Sequence, residues 1–224
     1  MKRTKLADRS LPDYTTGEEI FNMVSHAAGG LFAVVALVLC VTTAFFHHNA
    51  WGVATGAIYG ATMVLLYTMS SVYHGVRGKG TAKKVLQIID HCSIFLLIAG
   101  CYTPLTLGLL RPEYPVLAWA MFAAVWASAV IGATLNAIDL KRYAVFSMIC
   151  YLCSGWCIVV SVKPLLAVMP VSGFVLLIAG GVAYSFGAVL YGLGRTRRYM
   201  HSVFHLFVVA GSVLHFLCIL LYVM

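Results

Sequence analysis

The stretch Ser70–His91, SSVYHGVRGKGTAKKVLQIIDH, joins two strongly apolar segments through a short basic loop. Ser70 and His74 sit one helical turn apart at the end of the first segment, and Asp90 lies just inside the second. This reads as two membrane-spanning helices with ionisable groups gathered at their shared end. A carboxylate or imidazole at the edge of hydrocarbon is costly, so such groups mark functional positions by default. Far downstream, His201-Ser-Val-Phe-His205 sets two imidazoles at i, i+4 on one face of the last apolar segment. That spacing lets one helix give two ligands to one metal.

Composition identifies the solvent. Hydrophobic residues make up 62% of the 224 and charged ones 10%, with mean hydropathy +0.93; soluble chains run at about 45–50% apolar and about 25% charged. Period-2 alternation is absent and the apolar runs are too long for barrel strands, which leaves helices as the spanning structure. The expected fold is an all-α membrane protein, a seven-transmembrane helix bundle. Spans fall at about 22–46, 51–73, 86–110, 115–137, 143–162, 171–192 and 201–223. A short basic segment over 1–21 precedes the seven-helix domain over 22–224.

The basic residues orient it. Lys2, Arg3, Lys5 and Arg9 precede the first span; Arg77, Lys79, Lys83 and Lys84 join the second and third; Lys141 and Arg142 join the fourth and fifth; Arg195, Arg197 and Arg198 join the sixth and seventh. Only Arg111 and Lys163 fall on the other side, a split of 13 against 2 among the 15 basic residues. The rule that positive loops stay inside predicts a cytosolic N-terminus and an extracytoplasmic C-terminus. The formal charge of +8 is then topology signal and affinity for an anionic leaflet, with no basic domain left to bind nucleic acid.

This topology brings His74, Asp90, His201 and His205 to one depth near the cytosolic interface. His201 and His205 lie within about 6 Å of one another along the helix axis. A buried polar cluster with no metal is the alternative to a metal site. If the site holds metal, imidazoles favour zinc, and three His ligands with an open fourth position describe a catalytic rather than a closed structural site. Asp90 would orient or deprotonate a bound water, and the Ser70 hydroxyl would donate to it or to a developing oxyanion.

The joint pattern Glu19-x2-Asn22-x3-His26, Ser70-x3-His74, Asp90 and His201-x3-His205 resembles the motifs of the hemolysin III and progestin and adipoQ receptor (PAQR) families, whose wider superfamily includes alkaline ceramidases. The resemblance covers nearly the whole chain. It implies a zinc ion on His74, His201 and His205, with Asp90 and Ser70 near its water. The short N-terminal tail looks more like the bacterial hemolysin III branch, which implies a place in a bacterial inner (plasma) membrane. Glu19, Asn22 and His26 then stand around the metal rather than on it.

Several features carry plainer readings. Thr16-x-x-Glu19 fits a helix capping box, which competes with a role for Glu19 beside the metal. His91 points about 100° away from Asp90 and is left out of the ligand set. His47, His48 and His215 belong toward the outer side. Gly52, Gly56 and Gly60 form a stripe that lets another helix approach, an internal neighbour or else a second copy of the chain. Pro104 removes a bond to the Gly100 carbonyl and predicts a kink beside which an acyl chain could lodge. All seven cysteines fall in spans, and Cys150, Cys153 and Cys157 read as packing. Two functions follow: a zinc-dependent hydrolase of a lipid amide or ester, or a lipid-responsive membrane protein with structural zinc, of which a cytolytic, membrane-perturbing protein is a weaker version. The partners are membrane lipids in either case. Because the ionisable groups concentrate at one end, a permanent aqueous channel is disfavoured.

Overall fold

The computed structural model describes residues 4–224. Lys2 and Arg3, counted above toward orientation, lie outside the described residues. Among the described residues, seven helices are long and apolar enough to cross a membrane: α1 Thr16–Phe46, α2 Ala50–Gly75, α3 Thr81–Leu110, α4 Pro115–Asp139, α5 Ala144–Val168, α6 Val171–Leu193 and α7 Met200–Tyr222. No strand occurs among the described residues.

The helices α1 and α3 begin six and five residues before the boundaries that hydropathy suggests, because their first turns are polar and stabilised by other means. At α1 the Thr15 side chain accepts from the Glu18 N–H at 3.2 Å, and Glu18 Oε2 accepts from the Thr15 N–H at 2.8 Å. The capping box is therefore Thr15 with Glu18, one residue earlier than the expected Thr16 with Glu19. Ahead of it, Leu6–Asp8 forms a single 3-10 turn. The helix α5 also outruns its expected end, continuing past a 3-10 stretch at Cys157–Ser161 into Val162–Val168.

Small residues hold the bundle together. Along α1, Gly29, Ala33, Ala36, Cys40 and Ala44 are buried on one stripe, while Leu31, Val35, Val38 and Phe45 point outward. This is the arrangement of a helix whose outer face meets lipid tails and whose inner face seeks close backbone approach. The Gly52, Gly56 and Gly60 stripe of α2 packs here. A Cβ added at Gly60 would lie 2.6 Å from Leu37, and one at Gly56 would lie 3.2 Å from Cys40. The partner of the stripe is thus internal.

In α3, Pro104 converts the last turns to a π-helical stretch, Pro104–Leu110, in which Arg111 N–H donates to the Thr106 carbonyl at 2.9 Å. Thr103 and Thr106 hydroxyls donate to the Ala99 and Tyr102 carbonyls at 2.8 and 2.7 Å, which keeps the widened backbone satisfied. The strongest pairings are α1 with α2 and α6 with α7; α5 touches its neighbours sparsely. A cavity of about 1200 Å³ fills the space that α5 leaves against α3, α6 and α7.

Candidate metal centre

His74 comes from the last turn of α2, and His201 and His205 from the first turns of α7. All three are buried, and one ring nitrogen from each lies within 4.8 Å of the others. The Nε2 atoms of His201 and His205 face each other at 3.1 Å. Two nitrogens on a tetrahedral zinc, each about 2.0–2.1 Å from the ion, would sit roughly 3.3 Å apart, which is close to the spacing of the His201–His205 pair, with a His74 nitrogen within 4.8 Å of both.

The ring of His74 is fixed by its other nitrogen. Glu19 Oε2 lies 2.6 Å from His74 Nδ1, and Nε2 is buried with no hydrogen-bond partner among the described residues. A carboxylate behind an imidazole and a bare nitrogen in front is the arrangement that orients a metal-ligating histidine. Glu19 is itself held by Lys83, whose ammonium lies 2.5 Å from Oε1 and also donates to the Val76 carbonyl at 2.8 Å. Glu19 is therefore free of capping duty and faces His74. Asn22 Nδ2 approaches His74 Nδ1 at 3.5 Å, and His26 stacks on His205 with ring centroids 3.7 Å apart.

The other expected residues are close but separate. Asp90 and Ser70 line the same cavity as His201 and His205, outside the three-histidine group; the Asp90 carboxylate stands 3.7 Å from His91 Nδ1. His91 Nδ1 donates to the Gln87 carbonyl at 2.9 Å and Nε2 meets the Tyr191 hydroxyl at 3.2 Å, so the ring stands outside the three-histidine group. His47 meets the Met224 carbonyl at 3.0 Å, near the opposite end, and His215 meets the Leu177 carbonyl at 3.1 Å deep in the bundle.

Three tyrosines escaped the sequence reading. Tyr14 stacks on His201 with centroids 4.9 Å apart and lies 5.7 Å from the His74 ring. Burial holds its phenol well above the ordinary pKa, with Tyr73, Tyr191, Asp90 and Glu19 adding to the effect, so it stays neutral. Deeper in, the Tyr67 hydroxyl donates to Ser212 Oγ at 2.7 Å, and Tyr184 joins the same Oγ at 2.7 Å. Tyr67 and Tyr184 sit in apolar stretches, where only their polar tips hint at a partner.

Seven apolar helices among the described residues, with a buried three-histidine cluster at one end of the bundle, define an integral membrane protein. The chain belongs to the Haemolysin-III related family, whose sequence profile matches residues 14–216. It is 37% identical to Hemolysin-3 of Bacillus cereus over 207 residues, 92% of each chain. The Hemolysin-3 homolog of Bacillus subtilis (strain 168) is 37% identical over 209 residues, 93% of this chain and 96% of the relative. A more distant PAQR-type relative, the human monocyte to macrophage differentiation factor, is 27% identical over 219 residues, 92% of this chain and 84% of the relative.

Proposed function

We propose that the protein is a zinc-dependent hydrolase of a lipid amide or ester, acting at the cytosolic end of the bundle. The observation that carries this reading is the trio of buried imidazole nitrogens within 4.8 Å of one another, two of whose residues, His201 and His205, line a cavity of about 1200 Å³ that descends between the helices. From His201 to His215, both on its wall, the cavity follows α7 for about 20 Å at 1.5 Å per residue, a length suited to an acyl chain.

Zinc, bound by His74, His201 and His205, would supply Lewis acidity and an acidified water. The chain's own residues do the rest. Glu19 holds the His74 ring by Nδ1 and leaves Nε2 for the ion. Asp90 accepts the proton of the attacking water, and the Ser70 hydroxyl donates to the carbonyl oxygen as charge develops on it. Apolar side chains such as Leu97, Ile98 and Val208 hold the lipid tail and exclude bulk water. The cytosolic assignment follows from the basic residues, which crowd the end bearing the cluster.

The alternative is structural zinc in a lipid-responsive protein, favoured by one feature: the cluster ties α2 to α7 beneath Tyr14 and against His26, as a clamp would. Metal analysis of the purified protein, followed by mass spectrometry of products from ceramide-like and glycerolipid substrates in bilayers, separates the two. Zinc without product from any substrate would favour the clamp; absence of zinc would overturn both.

A further inference from the structure

The end of the cavity opposite His215 has a chemistry that the metal does not explain. Residues 4–14 run across this mouth: Thr4 N–H donates to Asp139 Oδ2 at 2.9 Å, and the Arg198 guanidinium donates to the Asp13 carbonyl at 2.6 Å. Within this strap, Arg9 is 9% exposed and lines the cavity. Its Nη2 donates to the Ile138 carbonyl at 2.7 Å, but Nε and Nη1 are buried with no hydrogen-bond partner among the described residues. Orphaned donors on a buried guanidinium are among the costlier things a fold can hold.

Arg142, Arg195 and Arg197 line the same mouth. The carboxylates nearby are largely engaged elsewhere. Glu18 takes the Thr15 and Tyr199 N–H groups and Arg198, Asp13 pairs with Lys79, and Asp139 accepts from the Thr4 and Arg142 N–H groups. Arg9, Lys141, Arg142, Arg195, Arg197 and Arg198 outnumber Asp8, Asp13 and Glu18 at the mouth. Although Asp139 lies close enough to feel the Arg9 charge, its oxygens accept from backbone N–H groups and leave Arg9 Nε and Nη1 without an acceptor among the described residues. A guanidinium offers a planar fork that matches a phosphate or carboxylate, and phosphate, with more acceptor oxygens, suits several arginines at once.

We propose that the mouth is a binding site for a phosphate-class anion, with Arg9 as its central ligand and Arg142, Arg195 and Arg197 around it. The anion is either the headgroup of an amphiphile whose chain enters the cavity or free phosphate. The site goes beyond the hydrolase reading and does not require zinc.

The test uses the purified full chain in phosphatidylcholine nanodiscs, titrated with lysophosphatidic acid, with the monoacylglycerol of the same chain and with inorganic phosphate. Wild type is expected to hold lysophosphatidic acid at least about tenfold more tightly than the monoacylglycerol. Arg9→Gln should erase that margin, Arg9→Lys should fall between, and Arg77→Gln, exposed and off the cavity, should keep it. Binding of inorganic phosphate with the same dependence on Arg9 identifies the free ion as the ligand; dependence seen only with the lysolipid identifies the headgroup. Helical circular dichroism and zinc content, unchanged in Arg9→Gln, keep this result separate from the fate of the metal centre. If Arg9→Gln does not fold, Arg142→Gln with Arg195→Gln carries the same comparison. Equal binding of the phosphate-bearing and neutral amphiphiles, or an unaltered margin in the folded Arg9 or Arg142/Arg195 variants, would overturn the proposal.

Discussion

Glu19 Oε2 stands 2.6 Å from His74 Nδ1, while the adjacent Glu18 turns the other way to close the first turn of α1. Two neighbouring carboxylates thus have separable tasks. Glu19→Gln should weaken zinc binding by about 10–100-fold, the usual effect of losing the group behind a ligating histidine, with the fold intact. Glu18→Ala should lower the melting temperature through loss of a cap worth about 1 kcal/mol and leave zinc affinity nearly unchanged. Competition with a fluorescent chelator, run beside thermal denaturation, checks both.

Zinc content itself is the next expectation. Wild type should carry about one zinc per chain, and His74→Ala, His201→Ala and His205→Ala should each lose most of it. His215→Ala and His91→Ala should retain it, because their rings bond elsewhere. Equal zinc in all five variants would end the three-histidine assignment.

Holding the metal and using it should come apart at Asp90. Asp90→Asn is expected to keep zinc and to reduce lipid hydrolysis by about 10²–10⁴-fold, the range for a lost general base. Ser70→Ala should act in the same direction and more mildly. An Asp90→Asn protein as active as wild type would leave the carboxylate without a catalytic role.

Orientation can be read by labelling cysteines in a background lacking the native seven. Lys79 and Thr196 are exposed at the basic end, and replacements there should react with impermeant reagents only from the cytosol. Glu113 is exposed at the other end and reports the outer side, whereas the neighbouring loop residue Asn49 caps α2 by accepting from the Gly52 N–H at 2.8 Å and is left in place. Labelling of 79 and 196 from opposite faces would contradict the helical order.

The histidine cluster was legible because spacing and topology act together. The i, i+4 pair in α7 fixes a face, and the alternation of short loops fixes a depth, which carries His74 to the same layer. The capping register was not legible. In Thr15-Thr16-Gly17-Glu18-Glu19 two boxes one residue apart satisfy the same pattern, and only the pull of His74 and Lys83 on Glu19 chooses between them. Lys83 looked like one more topology charge, although it is 6% exposed and paired. Tyr14 and Arg9 precede the apolar segments, where hydropathy is silent and only tertiary packing gives them a place.

The strap of residues 4–14 has a bearing on how the interior is supplied. It crosses the watery mouth, whereas Val145 and Leu152 of the sparsely packed α5 are 69% and 38% exposed and still line the cavity, so the wall beside them faces hydrocarbon. A lipid substrate of the kind proposed above would then be drawn from the bilayer rather than from solution. Its governing concentration is then a mole fraction among lipids, and dose–response curves plotted against aqueous molarity should shift whenever the lipid-to-protein ratio is changed.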